Sequence, residues 1–175
     1  LGRIPSLVHG FSTRRGGVSA LDSERILNLG FTEWDSRENV RENRNRLLAV
    51  LAANKMVLVL LRQFHSDTVC LIRSTLAAPC RGDASLTNRL GLLLAVQTAD
   101  CVPILLADSR RRAVAAVHAG WRGTLQRIVQ KTVGRMRMEF GTRPEDVIAA
   151  LGPAIGGCCY EVGTEVSHAF YAHFP

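Results

Sequence analysis

Histidine is scarce in this 175-residue chain: there are five, and no two are spaced His-x-His. A type 1 copper plus a trinuclear copper centre needs about ten histidine ligands, so a full multicopper centre is excluded. There is no His-x-Glu followed by Pro-Cys-x-x-Cys, which removes the familiar zinc-deaminase layout, and no cysteine spacing of the zinc-finger kind. Long apolar runs are missing too. Arg62, Gln97, Asp100 and Pro103 interrupt the longest stretches well short of the roughly eighteen residues of a membrane span. The start does not resemble a signal peptide. No Pro- or Ser-rich linker, internal repeat or low-complexity segment marks a boundary, so residues 1–175 are read as a single domain.

Lysine supplies only two of the 22 basic residues. The net charge of +7 therefore rests on arginine scattered along the chain, with one short run at Arg110–Arg112. Such a distribution reads as solvated surface and turn rather than as a nucleic-acid patch. The guanidinium fork also grips phosphate well, which keeps small anionic substrates in view. Cys70, Cys80, Cys101, Cys158 and Cys159 form an odd set without an export signal, which points to a reducing cytoplasm. Hydrophobic residues make up 47% of the chain, enough for a core without help from disulfides or oligomerisation.

Alternation and turn signals divide the chain into short strands and a few helices. Leu7–Ser12 is expected as a strand entering the Arg14-Arg15-Gly16-Gly17 loop. Asp35 is expected to open a helix, with Glu38 in the capping-box position and Val40, Leu47, Leu48 and Leu51 on its apolar side. Met56–Leu61 and Thr68–Ile72 read as strands around the polar Gln63–Asp67 corner. Leu92–Val96 and Val102–Leu106 repeat that pattern around Thr98-Ala99-Asp100-Cys101. Ala113–Val117 follows through the Asp108–Arg111 turn and delivers His118 into a Gly-flanked corner. A helix over Thr124–Glu139, a strand over Val147–Leu151 and a helix over Gly163–His173 complete the pattern. The class is α+β, since hairpin-like spacings argue against a purely parallel sheet.

His65, Cys101 and His118 each stand where an expected strand runs out into a short polar or Gly-containing corner. A thiolate with two imidazoles makes a three-ligand zinc site, and a fourth position left to water marks catalytic rather than structural zinc. Spacing alone does not single this out, because an isolated His or Cys is more often structural. On the zinc reading the donor atoms lie within about 4 Å of each other or of a shared ion. Cys158-Cys159, as neighbours after a Gly pair, read as packing elements instead.

The words around these residues are more specific. They are His9-Gly10-Phe11-Ser12-Thr13-Arg14-Arg15-Gly16-Gly17-Val18-Ser19, Gln63-Phe64-His65-Ser66-Asp67, Thr98-Ala99-Asp100-Cys101-Val102-Pro103, Val117-His118-Ala119-Gly120-Trp121-Arg122-Gly123-Thr124, and Gly152-Pro153-Ala154-Ile155-Gly156 with Cys158-Cys159-Tyr160-Glu161-Val162. Five blocks in this order resemble the YfiH-like laccase-domain family. The resemblance implies a layered α/β/β/α sandwich with mixed sheets and a catalytic zinc held by His65, Cys101 and His118. It also implies phosphorolysis of adenosine, inosine and S-methyl-5'-thioadenosine, and hydrolytic deamination of adenosine. Asp83, in Gly82-Asp83-Ala84, matches a family acidic position and is a candidate general base or partner of a ligand; a turn residue bonding its own loop is the alternative. Arg14, Arg15 and Arg122 are candidates for phosphate, with the Gly16-Gly17 and Gly120 backbones able to approach an anion. Asn28 is a candidate for substrate contact, against a role in turn formation. Members of the family continue past the point matching Pro175, so the domain is expected to lack the family's C-terminal portion. The expected ligands are purine nucleosides, phosphate and zinc. The expected state is a monomer or weak homodimer in the cytoplasm, with neither nucleic acid nor membrane as partner.

Three other readings stay open. Cys101 as nucleophile with His118 as base would make a metal-free hydrolase. Copper, which outcompetes other divalent ions for such ligands, would make a polyphenol oxidase of the kind older labels for the family suggest, slow and dependent on added copper. An inactive truncated paralogue is the third, and the intact ligand trio stands against it.

Overall fold

A computed structural model describes residues 1–2, 4–74 and 79–174. Although no linker marks a division, the chain forms two compact units, Gly2–Met56 and the chain from Val57 onward.

The first unit is built on a hairpin and a helix. Strands β1 (Ser19–Leu21) and β2 (Glu24–Ile26) pair antiparallel through Asp22 and Ser23, whose φ values of 49° and 68° are those a two-residue type I′ turn demands. Gly17 packs so closely on this hairpin that a Cβ there would lie 1.9 Å from the Ile26 carbonyl oxygen, so the glycine serves backbone approach within the unit. Leu7–Ser12 is irregular rather than a strand, and among the described residues it pairs with no other segment in a ladder. Helix α1 (Arg37–Val50) is capped by Ser36 and not by Asp35, the Ser36 hydroxyl accepting the Asn39 N–H at 3.1 Å. Its anchor is polar as well as apolar. Val40 and Asn43 are fully buried, and the Asn43 amide donates to the Ser19 hydroxyl and the Asn28 carbonyl while accepting from the Val18 N–H.

Asp35 accepts side-chain hydrogen bonds from Ser19, Asn28 and Asn39. Desolvation raises its pKa, but those three bonds and the Ser36 backbone N–H outweigh it and hold the carboxyl below the usual aspartate range. A carboxyl depressed on folding adds stability above its unfolded pKa, near 4, and that stability is lost as pH falls through the folded value. Amide protection at the start of α1 should therefore fall on acidification below about pH 4. The Asp35→Asn variant should lose that pH dependence, and an unchanged profile would remove Asp35 as its cause.

The second unit contains β3 (Val57–Leu60), β4 (Val69–Leu71), β5 (Ala84–Thr87), β6 (Leu92–Ala95), β7 (Val102–Asp108), β8 (Ala113–Ala119), α2 (Trp121–Leu125), α3 (Ile128–Phe140), β9 (Ile148–Leu151) and α4 (Thr164–His173). Five strands form a sheet in the order β4-β5-β8-β7-β9, and β3 and β6 form a parallel pair. Only β4–β5 is parallel within the larger sheet, so the sheets are mixed and the α+β class holds. The small residues Ala113 and Ala115 of β8 let α3 lie close. Ile128, Thr132 and Met136, spaced by four, are its buried residues, and Ile128 and Met136 join Ala84, Leu86, Ile104, Leu106 and Val117 in one core cluster. Leu61, Cys70 and Ile72, with Val59, Leu92 and Leu94, make a second cluster.

The structure departs from the sequence reading in three further places. The helix expected over Thr124–Glu139 is two helices, because Arg127 adopts the left-handed φ of 61° between them. Strand β5 was not expected. Cys70 and Cys80 are joined by a disulfide, which leaves Cys101, Cys158 and Cys159 free. Among the described residues, no helix is long and apolar enough to cross a membrane.

Candidate active site

Sheet register brings the sequence-distant corners together. In the antiparallel β5–β8 ladder Ala84 faces Val117, so Asp83 and His118 end side by side, and the His118 N–H donates to the Asp83 carbonyl at 2.7 Å. In the β7–β8 ladder Pro103 faces His118, which brings Cys101, two residues earlier, to the same end of the sheet. His65 arrives from the corner beyond β3 with a left-handed φ of 60°, an uncommon conformation for a residue with a side chain. The nitrogen and sulfur donors of His65, Cys101 and His118 all lie within 4.8 Å of one another. That bound is looser than the 4 Å expected, whereas an ion bonded at 2.0–2.3 Å would draw tetrahedral ligands to roughly 3.5 Å. His118 is buried, Cys101 half-buried and His65 exposed, so the site opens on the His65 side.

Asp83 is fully buried behind the trio. Its Oδ1 faces His118 Nδ1 at 2.8 Å and accepts the His65 N–H at 3.1 Å. Its Oδ2 accepts the Ser66 N–H and hydroxyl, both at 2.7 Å, and the Phe64 N–H at 3.3 Å. These bonds span 17 to 35 residues, so Asp83 is not a turn residue serving its own loop. One carboxylate thus clamps the strained His65 corner and orients His118; with Nδ1–H given to Asp83, Nε2 is the atom left for a metal. Burial pushes the Asp83 pKa up, but the hydrogen bonds from His118, Ser66 and Phe64 prevail and hold it low. The Cys101 thiol is pushed up by burial and then by the charges of Asp100 and Asp83. A cation is what would offset all three.

Gly120 forms the wall beside the ligands. A Cβ there would lie 3.1 Å from His65 Cδ2 and 3.2 Å from Cys101 Sγ, so glycine keeps the space clear. Two imidazoles and a thiol, with His65 exposed, are a donor set that fits zinc with a fourth position left to water. Among the described residues this is the one group of three such side chains.

The remaining candidates differ in how far they are engaged. Arg122 is exposed, with its guanidinium 4.2 Å over the Trp121 ring and, among the described residues, no ion pair. Arg14, in the first unit, is paired with Glu24. Asn28, in the same unit, accepts the Gly30 N–H at 3.1 Å and donates to Asp35 at 2.7 Å, the geometry of a turn. Ser66 is the site residue not singled out beforehand. Its only signal was a place beside His65 in the Gln63–Asp67 block.

Residues 8–175 match the family described as multi-copper polyphenol oxidoreductase laccase. The chain is 44% identical over 162 residues to the Escherichia coli protein named purine nucleoside phosphorylase YfiH, an alignment covering 92% of this chain and 64% of the relative. It is 39% identical over 177 residues to adenosine deaminase RL5 from an unknown prokaryotic organism, covering 95% of this chain and 67% of that one. The crystal structure of YlmD from Geobacillus stearothermophilus superposes with a TM-score of 0.84 at 33% identity, covering 94% of this chain and 64% of that one. The chain thus spans about two thirds of the length of the curated relatives it matches.

Proposed function

Because the chain belongs to the multi-copper polyphenol oxidoreductase laccase family, we propose that it is a zinc-dependent purine nucleoside enzyme. It would carry out phosphorolysis of adenosine, inosine and S-methyl-5'-thioadenosine and hydrolytic deamination of adenosine. The observation that carries the reading is the convergence of His65, Cys101 and His118 beside Gly120, in a chain whose relatives bear the names purine nucleoside phosphorylase and adenosine deaminase. Bound zinc would supply a Lewis-acidic centre that lowers the pKa of water to about 7. His118, oriented by Asp83, and His65, fixed by the same carboxylate, would hold the ion with Cys101. Arg122, with no ion pair among the described residues and two residues beyond Gly120, would take the phosphate. A monomer or weak homodimer belongs to the same proposal, as does a cytoplasmic setting, although the Cys70–Cys80 disulfide stands against the reducing compartment expected from the odd cysteine count.

The rival Cys-His hydrolase needs Cys101 as a free thiolate, whereas a thiolate already bonded to zinc is a poor nucleophile, so metal content separates the two. A multicopper oxidase finds two of the five histidines in the group and no further cluster among the described residues.

Arg122 separates the two reactions. Phosphorolysis consumes phosphate and yields ribose 1-phosphate, while deamination consumes water and yields inosine and ammonia. Arg122→Ala should lower ribose 1-phosphate formation by about 10-fold or more, the worth of a charged hydrogen bond, and inosine formation from adenosine much less. Equal loss of both products would remove Arg122 as the phosphate ligand.

A further inference from the structure

Cys158 and Cys159 take no part in the arrangement above. Expected as packing elements, they are both exposed instead. Neighbouring side chains on an extended strand point to opposite sides. Here a turn, closed by the Cys159 N–H donating to the Gly156 carbonyl at 3.0 Å, brings the two sulfurs to 3.2 Å. The loop that carries them is tied to the segment around Cys101, since the N–H groups of Gly152 and Ile155 donate to the carbonyls of Pro103 and Asp100.

We propose that Cys158 and Cys159 form a thiol–disulfide exchange site that takes small disulfides and closes reversibly to a vicinal disulfide. The reaction has two steps. The Cys158 thiolate attacks one sulfur of the small disulfide, breaking its S–S bond, expelling one thiolate and leaving a mixed disulfide on Cys158. Cys159 then loses its proton to solvent and attacks the Cys158 sulfur, forming the protein S–S bond and expelling the second thiolate. Two protein thiols are oxidised by two electrons, and the small disulfide is reduced to two thiols. The hydrogen bond with Cys158 and then desolvation push the Cys159 thiol up, which favours Cys158 as the first sulfur to attack.

Reversibility follows from adjacency. Consecutive Cα atoms are about 3.8 Å apart, below the ~4.4–6.8 Å that disulfides prefer, so the closed ring is strained and readily reduced. Cys70–Cys80 carries no such constraint, being ten residues apart with Cys70 buried. The chain thus holds one structural disulfide and one exchangeable pair.

The test treats the full chain with glutathione disulfide and reads the peptide containing both cysteines by mass spectrometry after alkylation. The expected product has lost two hydrogens and retains no glutathione, and reduced glutathione restores both thiols while Cys70–Cys80 stays intact. Cys159→Ser should stop at the mixed disulfide, with one glutathione on Cys158. Cys158→Ser should react at least several-fold more slowly than the native pair. Glutathione retained on both native cysteines, or a pair that does not react, would overturn the proposal; so would equal rates for the native chain and Cys158→Ser.

Discussion

The Cys101→Ala protein is expected to fold and to carry almost no metal. Cys101 is half-buried just before the start of β7, and its side chain contributes to neither core cluster, so its loss leaves the sheet in place. What it removes is the one sulfur among three donors within 4.8 Å. Two histidines alone hold zinc far less tightly than three protein ligands, so metal content should fall from about one equivalent per chain to less than a tenth. Adenosine deamination should fall at least about 10³-fold, the several kcal/mol that a Lewis-acidic metal contributes. Elemental analysis and inosine release on the same preparation check both. Full metal content in the variant would mean that Cys101 is not a ligand.

Asp83→Ala should be the most destabilising single change at the site. Asp83 is buried and receives hydrogen bonds from Phe64, His65, Ser66 and His118. Truncation strands those donors in the interior and releases the left-handed His65 corner. A cost of about 3–5 kcal/mol follows, as for other buried charged networks broken from one side. In a chain of this length that lowers Tm by roughly 10 °C. Asp83→Asn keeps the volume and one acceptor, and should spare most of the fold while weakening zinc binding by about 10–100-fold, the usual worth of a carboxylate behind a ligating histidine. Thermal unfolding and a chelator competition separate the two effects. Unchanged zinc affinity in Asp83→Asn would mean that the carboxylate does not tune the ligands.

The parts of this fold that were legible in the sequence are those where apolar pattern and turn chemistry agree. β7 and β8 read correctly because their runs of Val, Ile, Leu and Ala flank Asp108, whose carboxylate accepts the Arg110 and Arg111 N–H groups in the turn. β5 did not, because the alternation of Ala84-Ser85-Leu86-Thr87 lasts only four residues with small or polar side chains at three of them, too short a signal to stand out from the Gly82-Asp83 turn, although every position is buried. The break at Arg127 has no Gly or Pro to signal it. The α1 cap slipped by one residue because Asp35, Ser36 and Glu38 offer overlapping capping signals, and only the Ser36 hydroxyl meets the Asn39 N–H. At the site, the words around His65, Cys101 and His118 singled out the three residues whose donor atoms the fold brings within 4.8 Å of one another. The reach of Asp83 to His65 and His118 depends on β5–β8 register and on a corner 17 residues away, which no local pattern contains.

The central claim is that His65, Cys101 and His118 hold a zinc ion that purine nucleoside chemistry requires. Elemental analysis of protein purified without added metal, with products from adenosine measured on that preparation before and after chelation, tests it most directly. The predicted result is about one zinc per chain, inosine formed without phosphate, adenine and ribose 1-phosphate formed with it, and loss of inosine formation when zinc is withdrawn. Metal-free protein that turns adenosine over at an undiminished rate would contradict the claim.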